Sequence, residues 1–205
     1  MTEEATAGAQ ANQAVRERLL AEGLRLFTSK GYAGTTVREI VEAAGVTKPV
    51  LYYYFNSKEG IYLELMEGAY TIFGERMREL VGKSGSARDR MEILCLGIFD
   101  AFLEFIDVAR LIYAIYFGPA QGAPQFEHDQ AFDWMLDAVR TVVAEGIASG
   151  EFRPGDPADM TWVIIGCLNV CMEEQLCRND PRINRDDTKR MLALILDGIS
   201  RGDAK

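Results

Sequence analysis

The amino-acid sequence predicts an all-α protein built in two parts. Apolar residues recur at spacings of three and four over most of its 205 residues, which is the period of an amphipathic helix. Alternating valine-rich runs, which are typical of strands, are missing. Stretches with glycine and proline divide the helical pattern into roughly nine segments. We therefore expect an N-terminal three-helix helix-turn-helix domain that a continuous helix joins to a C-terminal helical bundle.

The chain begins with a segment that has no helical periodicity. Residues 1–12 are small and polar, and we expect them to form a disordered tail. The first helix is predicted from about Asn12 to Lys30, because a broad apolar face develops there and Gly31 follows its last turn. This helix is expected to hold the next two helices together.

The second and third helices carry the clearest boundary signals. Thr36 and Glu39 fit a capping box at the start of a helix predicted over residues 36–44, and Gly45 tolerates the positive φ of a helix C-cap. The third helix begins near Thr47, where Pro49 is allowed because its missing N–H falls in the first turn. Two short helices joined by such a tight turn form a helix-turn-helix.

The third helix combines an apolar face with an outward face of aromatic rings. Leu51 and Phe55 lie one turn apart and are expected to be buried. The three consecutive tyrosines at 52–54 are rotated by roughly 100° from one another, so they cannot all be core residues. In a helix-turn-helix, the outward face of this helix enters a DNA major groove. The spacing alone leaves open a plain three-helix bundle whose tyrosines cap the edge of its core.

Motifs between about Val15 and Leu65 resemble the N-terminal DNA-binding domain of the TetR family of transcriptional repressors. The family pattern is a first helix ending in Phe and then Gly-Tyr or Gly-Phe, followed by Thr-Thr-Val, Ala-Gly-Val and Leu-Tyr-x-x-Phe-x-x-Lys-Glu. Val50 departs from the small or hydroxylated residue usual in the family, which bears on base preference and not on the fold. The matching residues are Phe27, Gly31-Tyr32, Thr35-Thr36-Val37, Ala44-Gly45-Val46 and Leu51-Tyr52-Tyr53-Tyr54-Phe55-Asn56-Ser57-Lys58-Glu59.

The resemblance implies a homodimeric repressor that leaves a pseudo-palindromic operator when a small effector binds. It also implies that the last two helices of each subunit form the dimer interface. Lys48 and Thr47 are expected near base edges, and Thr36 and Lys58 on phosphates. The full set of expected DNA-binding residues is Thr36, Arg38, Thr47, Lys48, Pro49, Tyr52, Tyr53, Tyr54 and Lys58.

A fourth helix is predicted to start at Ser57, a good N-cap, and to continue to about Val81. No flexible linker interrupts it, so it joins the two parts of the protein mechanically. The expected domains are a helix-turn-helix domain at residues 13–62 and an effector-binding and dimerisation domain at residues 63–205. The later helices are expected at about 88–106, 110–117, 126–149, 156–177 and 186–200.

The C-terminal bundle has two expected tasks, which are compatible. Its last two helices are apolar on more than one side, and Gly166, Ala193 and Gly198 would let a second copy approach closely. Its middle helices are rich in large apolar side chains, which either fill an ordinary core or line a pocket for an apolar or aromatic effector. Together with the resemblance, they favour the pocket. The candidate effector-binding residues are Met66, Tyr70, Phe73, Phe99, Phe102, Tyr113, Phe117, Trp134, Trp162 and Asn169.

The charge of the chain is distributed unevenly. The net charge is −9, which at first argues against a DNA-binding protein. Residues 15–60, however, contain seven basic and five acidic residues, whereas residues 61–205 contain fifteen basic and twenty-four acidic residues. An acidic remainder repels DNA from every surface except the helix-turn-helix.

Several classes of protein do not fit the sequence. Four cysteines without a CxxC motif, together with the single histidine His128, favour reduced thiols in the cytoplasm over a metal or redox site. No apolar run is long enough to span a membrane. No pairing of a nucleophile with a base and no glycine-rich phosphate loop appears, so we expect neither an enzyme nor a cofactor. Two alternatives remain, a helical adaptor that binds proteins, and a transcriptional activator of the same fold.

Overall fold

The structure is a computed structural model that describes residues 3–118, 122–126 and 129–200. It is 81% helical, which confirms the predicted fold class. Outside the helices, a single isolated β-bridge joins Phe152 and Ser200 within the described ranges. The helices formed by these residues are α1 Glu3–Gly34, α2 Val37–Ala44, α3 Lys48–Phe55, α4 Lys58–Val81, α5 Ala87–Glu104, α6 Ile106–Tyr116, α7 Asp129–Ser149, α8 Pro157–Cys177 and α9 Arg185–Ile199.

The first helix is longer than the sequence pattern indicated. α1 starts at Glu3, so residues 3–12 are helical and not the expected disordered tail, while residues 1–2 lie outside the described ranges. Repeated alanines give this segment high helix propensity without the amphipathic period on which the prediction relied. Near the other end, Gly31 has φ 77° and ψ 161°, so it interrupts the helix where the first helix was expected to end.

The capping box and the C-cap predicted for α2 are present. Thr36 and Glu39 form the capping box of α2, and Gly45 ends that helix with φ 65°. Thr47 is the N-cap of α3, and Asn56 ends this helix with φ 59°, a left-handed conformation that asparagine tolerates better than most residues. The Oγ of Ser57 then accepts the Gly60 N–H at 3.0 Å, as expected of the residue that starts α4. Local side-chain chemistry therefore sets the boundaries of the helix-turn-helix.

The later helices match the predicted pattern with shifts at their ends. α5 stops at Glu104 and α6 starts two residues later, four residues before its predicted start. Phe126, the predicted first residue of α7, lies outside any helix, and α7 starts at Asp129. Side-chain oxygens of Ser86, Asp156 and Asn184 cap α5, α8 and α9.

Two compact units form, and the division between them falls inside α4. The first unit contains Met1–Ala69 and Asp107–Phe126, and thus α1–α3, the first half of α4 and α6 except its first residue. In its core, the ring of Tyr32 lies 5.3 Å from the rings of both Phe27 and Tyr62, measured between centroids. A Cβ on Gly23 would come within 2.7 Å of Ile61, so glycine lets α1 and α4 approach closely.

The second unit contains Tyr70–Ile106 and Glu127–Lys205, and its core lies among α5, α7, α8 and α9. Gly146 is essential to the packing of α7, because a Cβ there would lie 2.3 Å from the buried ring of Phe152. Ion pairs between α5 and α9 join Asp100 to Arg185 at 2.7 Å and Glu92 to Lys189 at 2.6 Å. Among the described helices, none is both long and apolar enough to cross a membrane.

Candidate functional site

The helix α3 exposes the residues that the sequence placed outward and buries the two placed inward. Leu51 and Phe55 are buried. Tyr53 is 78% exposed, the highest value among the exposed large apolar residues of the described chain, and Tyr52 is also exposed. The side chain of Thr47 makes no capping hydrogen bond. The exposed residues at the start and on the outer face of α3, which we call the α3 face, are Thr47, Lys48, Pro49, Tyr52 and Tyr53.

Two further predicted DNA-binding residues lie at the start of α2 and have partners within it. The Thr36 hydroxyl donates to Glu39 Oε2 at 2.8 Å and accepts the Glu39 N–H at 3.3 Å. The Arg38 side chain is exposed, but its Nε donates to Glu42 Oε1 at 2.6 Å. A phosphate would therefore have to replace Glu42 as the partner of Arg38. Glu42 was not anticipated, although its spacing of four from Arg38 is typical of a helical ion pair.

Tyr54 has a different environment from its two neighbours on α3. Its side chain is half-buried, and its hydroxyl donates to Oδ1 of Asn12 at 3.1 Å. Asn12 is 42 residues away in the chain and belongs to the N-terminal extension of α1. The hydroxyl expected on DNA thus contacts α1 in the structure. No sequence signal marked Asn12, because the pair shares neither a helix nor a turn.

Lys58 is also placed differently from the exposed cation that the sequence suggested. Its half-buried ammonium donates to the carbonyl oxygens of Tyr32 at 2.7 Å and Thr35 at 2.9 Å. The Nζ atom lies 4.1 Å from the centroid of the Tyr32 ring. Burial lowers the pKa of this lysine. The side chain therefore connects the first residue of α4 to the segment between α1 and α2.

The carboxylate of Glu39 is the centre of a hydrogen-bond network at the start of α2. Lys30 Nζ donates to Oε1 at 2.6 Å, and the Thr36 backbone N–H donates to Oε2 at 2.9 Å. These bonds favour the ionised carboxylate. The Lys30 bond first, and then the two bonds from Thr36, lower the pKa of Glu39 to about 2 from an ordinary value of 4.5.

This pKa predicts how the stability of the helix-turn-helix depends on pH. The folded pKa of Glu39 lies below its unfolded value, so the stabilisation is complete above about pH 4.5 and is lost as pH falls towards 2. Glu39→Gln keeps a residue suited to the capping box but removes the charge. We expect wild type to be more stable than this variant at pH 7, and the difference in free energy of unfolding to shrink below pH 4.5. Urea unfolding across this range measures it, with Glu75→Gln on the exposed surface of α4 as control. A difference that stayed constant as the pH fell to about 2 would contradict the network.

The predicted effector-binding residues fall in both units. In the first unit, Met66 is fully buried, and the rings of Tyr113 and Phe117 are 5.3 Å apart at the end of α6. Phe117 is 73% exposed in the structure. The pair of a half-buried Tyr113 and an exposed Phe117 at the end of α6 differs from the enclosed pocket lining that the sequence suggested.

In the second unit, most of these residues belong to its core. Phe99 is fully buried, and Phe73 and Phe102 pack against the same core. Tyr70 is buried and Asn169 is half-buried. The Trp134 ring lies against Gly74, where a Cβ would come within 2.7 Å of it. The absence of a side chain at Gly74 therefore lets the Trp134 indole pack directly on the backbone of α4, which the sequence pattern did not predict.

Trp162 has surroundings that do not match an interior pocket of the second unit. Its side chain is 57% exposed on α8, although its ring is 6.2 Å from that of Phe132. Helical spacing places it on one exposed face with other apolar or small residues, and α9 exposes Leu194 and Gly198. We call this set the α8–α9 face: Trp162, Val163, Gly166, Val170, Leu194 and Gly198.

Three of the four cysteines are buried or half-buried, as expected of thiols that pack as small apolar groups. Cys95 and Cys171 are buried, Cys167 is half-buried and Cys177 is exposed. Burial raises the pKa of Cys95 to about 12 and that of Cys167 to about 11, so both are protonated thiols at neutral pH. No group of acidic, histidine or cysteine side chains suited to a metal occurs in the parts of the chain that the structure describes, and His128 lies outside them.

Comparison with known proteins points to the same segment. A family model described as bacterial regulatory proteins, tetR family, matches residues 19–65, which contain α2, α3 and the start of α4. The HTH-type transcriptional repressor KstR2 of Mycobacterium tuberculosis is 27% identical over 195 residues, covering 91% of this chain and 93% of the relative. The similarity thus extends well beyond the helix-turn-helix.

Solved structures extend the comparison to the fold. The ketosteroid transcriptional regulator KstR2 of Mycobacterium tuberculosis matches with a TM-score of 0.73 and 26% identity, covering 91% of this chain and 95% of that one. The TetR family regulator PfmR from Thermus thermophilus matches with a TM-score of 0.72 and 23% identity, covering 91% and 98%. At that identity, the second match concerns the fold alone.

Proposed function

Because this chain belongs to the TetR family of DNA-binding transcriptional regulators, which are not enzymes, we propose that it is a homodimeric repressor acting in the cytoplasm. Two copies of α3 enter successive major grooves of a pseudo-palindromic operator, and a small apolar or aromatic effector releases the protein. The observation that carries this proposal is the α3 face, which exposes five of the predicted contacts while Leu51 and Phe55 anchor the helix.

The proposed DNA contacts follow from what each side chain offers. Lys48 and Thr47 lie at the start of α3, where a recognition helix approaches base edges. Tyr52 and Tyr53 present rings and hydroxyls to phosphates or thymine methyl groups. Thr36 and Arg38 stand at the start of α2, where a phosphate is also favoured by the helix dipole. Pro49 is the remaining residue of the α3 face, and it is exposed beside Lys48 in the first turn of α3.

Selection from a random duplex library tests the proposed function directly. Wild-type protein is incubated with duplexes of about 30 base pairs, and bound DNA is amplified and sequenced. We expect an inverted repeat whose half-sites are about one helical turn apart or a multiple of it, bound more weakly as salt rises. A helical adaptor would enrich no sequence. Transcription from a promoter that carries the selected duplex then separates a repressor from an activator.

Tyr53→Ala tests the α3 face at its most exposed ring. We expect roughly a tenfold loss of affinity for the selected duplex, the size of one lost groove contact. The free energy of unfolding should not change, because the ring is 78% exposed. Fluorescence anisotropy and urea unfolding measure the two quantities. Tyr116→Ala, at another exposed tyrosine on α6, is the matched control and should bind as wild type does. Equal losses in both variants would remove the α3 face from the DNA interface.

Support for dimerisation comes from the α8–α9 face. Leu194 is 74% exposed and Trp162 is 57% exposed, and both are surrounded by further apolar or glycine positions on the same helices. Large apolar side chains exposed in this number on two neighbouring helices of a protomer are typical of a protein interface. The two glycines, Gly166 and Gly198, have nothing within 4 Å of a Cβ position, which leaves room for the backbone of a second copy. A dimer also supplies two copies of α3, one for each half-site of a pseudo-palindrome.

An apolar effector is proposed from the bundle residues and from the relative's name. Phe99, Phe102 and Phe73 belong to the second unit, and Met66, Tyr113 and Phe117 to the first. The similar KstR2 protein is named a ketosteroid transcriptional regulator, so we infer a hydrophobic molecule of comparable class. An effector lowers the affinity for DNA only to the extent that it binds the DNA-free conformation of the dimer more tightly than the DNA-bound conformation.

Two probe compounds test whether an effector releases the protein from DNA. Progesterone, a ketosteroid, and palmitate, a fatty acid, are each titrated into the complex of wild-type protein with the selected duplex. We expect one class to lower the affinity by about tenfold or more, as in typical allosteric coupling. Phe99→Trp should alter this response and leave DNA affinity without effector unchanged. If neither probe nor any other apolar compound changed DNA affinity at saturation, release by an effector would be excluded.

A further inference from the structure

The Lys58 ammonium joins three parts of the first unit. Lys58 is the first residue of α4, and its two carbonyl partners, Tyr32 and Thr35, lie 26 and 23 residues earlier. Thr35 directly precedes Thr36, the N-cap of α2. The Tyr32 ring forms a third side of this site, 4.1 Å from Nζ. One side chain thus links α4 to the residue immediately before the helix-turn-helix.

The surroundings of these partners fix their position. Tyr32 and Thr35 are both buried, and the Thr35 hydroxyl donates to the carbonyls of Gly31 at 2.9 Å and Leu26 at 3.1 Å. The Thr35 N–H also donates to the Tyr32 carbonyl at 3.3 Å. Lys58 therefore binds a segment that is rigid on its α1 side. Hydrogen bonds of 2.7 and 2.9 Å thus connect the start of α4 to the segment that ends immediately before the N-cap of α2.

A cation at this position would otherwise be unfavourable. The first turn of a helix carries partial positive charge, so the dipole of α4 disfavours an ammonium at its first residue. Within the described residues no carboxylate forms an ion pair with Lys58. Two carbonyl oxygens and an aromatic face compensate for the dipole and for partial burial. With two of its three N–H groups already bonded, the ammonium is poorly placed to bind a phosphate at full strength.

We propose that Lys58 is a positioning residue, which fixes the start of α2, and with it the α3 face, relative to the start of α4, in place of contacting the DNA backbone directly. This role rests on the proposed DNA-binding function, and it is an alternative to the phosphate contact that the family resemblance implies. Because a reading helix must be placed accurately to recognise bases, loss of Lys58 should affect sequence recognition more than general attraction to DNA.

The test compares Lys58→Met, Lys58→Arg and wild type as full-length proteins. Each is bound to the selected duplex and to a mixed-sequence duplex of equal length over a range of salt concentrations. We expect Lys58→Met to lower the ratio of the two affinities by roughly tenfold, about the loss from one mismatched base pair. Lys83→Met, at an exposed lysine in the loop after α4, controls for the loss of charge and should keep the ratio.

Lys58→Arg separates positioning from phosphate binding. Arginine binds phosphate at least as well as lysine, but its longer, planar end cannot occupy the same site between two carbonyls at 2.7 and 2.9 Å. A positioning role predicts that lysine alone supports recognition, so Lys58→Arg should resemble Lys58→Met. A phosphate contact predicts the opposite. In Lys58→Met the affinity for both duplexes should then fall equally, and the slope of log affinity against log salt concentration should be smaller by about one. In Lys58→Arg the affinity should then recover. Those results would overturn the proposal.

Hydrogen exchange gives a readout that does not depend on DNA. The Glu39 N–H is bonded to the Thr36 hydroxyl and the Ile40 N–H to the Thr36 carbonyl, so both report on the start of α2. We expect both to exchange faster in Lys58→Met, with α9 unchanged. Unchanged exchange, or a lower melting temperature with an unchanged affinity ratio, would also refute the proposal. If wild type selects no duplex, the proposed function fails, and the exchange rates still decide whether Lys58 positions α2.

Discussion

Replacing Leu194 by glutamate is expected to convert the proposed homodimer to a monomer and to abolish binding to the selected duplex. Leu194 is 74% exposed in the protomer, so the new carboxylate costs the isolated chain little. In the proposed interface the same carboxylate would be buried without a partner, at a cost of about 3–5 kcal/mol. The dimer dissociation constant should therefore rise by at least roughly 100-fold. Sedimentation equilibrium measures it directly.

The matched control for this variant is Leu103→Glu. Leu103 is also a partly exposed leucine of the second unit, but it belongs to α5 and not to the α8–α9 face. It should remain a dimer and bind the selected duplex as wild type does. If Leu194→Glu stayed dimeric with an unchanged dissociation constant, the α8–α9 face would not be the interface. A monomer that still bound the selected duplex tightly would instead show that one copy of α3 is sufficient for DNA binding.

Short-range features of the site could be predicted from the sequence. The capping box of Thr36 and Glu39, the C-cap at Gly45 and the burial of Leu51 and Phe55 each depend on residues within about one helical turn of one another. Such contacts leave a pattern in the chain, because helix geometry brings fixed spacings together. The same reasoning predicted that α4 is continuous, which the structure confirms for residues 58–81.

Long-range contacts could not be predicted in this way. The partners of Lys58 are backbone carbonyls, which every residue has, so no residue type marks them. The bond from Tyr54 to Asn12 spans 42 positions and depends on an extension of α1 that has helix propensity but no apolar period. Trp162 illustrates a third limit, since a helix with apolar residues on several sides does not indicate which side faces the core of its own chain.

Leu51→Ala is expected to have the largest effect on stability within the helix-turn-helix. Leu51 is completely buried, although it lies on the same short helix as the exposed Tyr52 and Tyr53. Truncating a buried leucine to alanine costs about 2–5 kcal/mol, because the lost apolar contacts add to the cavity that remains. Native domains are stable by only about 5–15 kcal/mol, so this loss is a large share of the stability of the first unit and raises its unfolded fraction by a factor of roughly 30 or more.

The two compact units make the consequence of Leu51→Ala local. Hydrogen exchange should accelerate in α2 and α3, whereas α5, α8 and α9, which share the core of the second unit, should keep their protection. Affinity for the selected duplex should fall in proportion to the fraction of protein whose α3 is still folded, while sedimentation still reports a dimer. Leu103→Ala, at an exposed leucine, is the control and should change neither quantity. If Leu51→Ala bound the selected duplex with wild-type affinity, α3 would not need the buried Leu51 side chain to hold its position. If hydrogen exchange became faster to the same extent in all helices, the two units would unfold together. In the proposed function, the buried face of α3 therefore supports DNA binding through Leu51 and Phe55, which are buried and lie outside the α3 face.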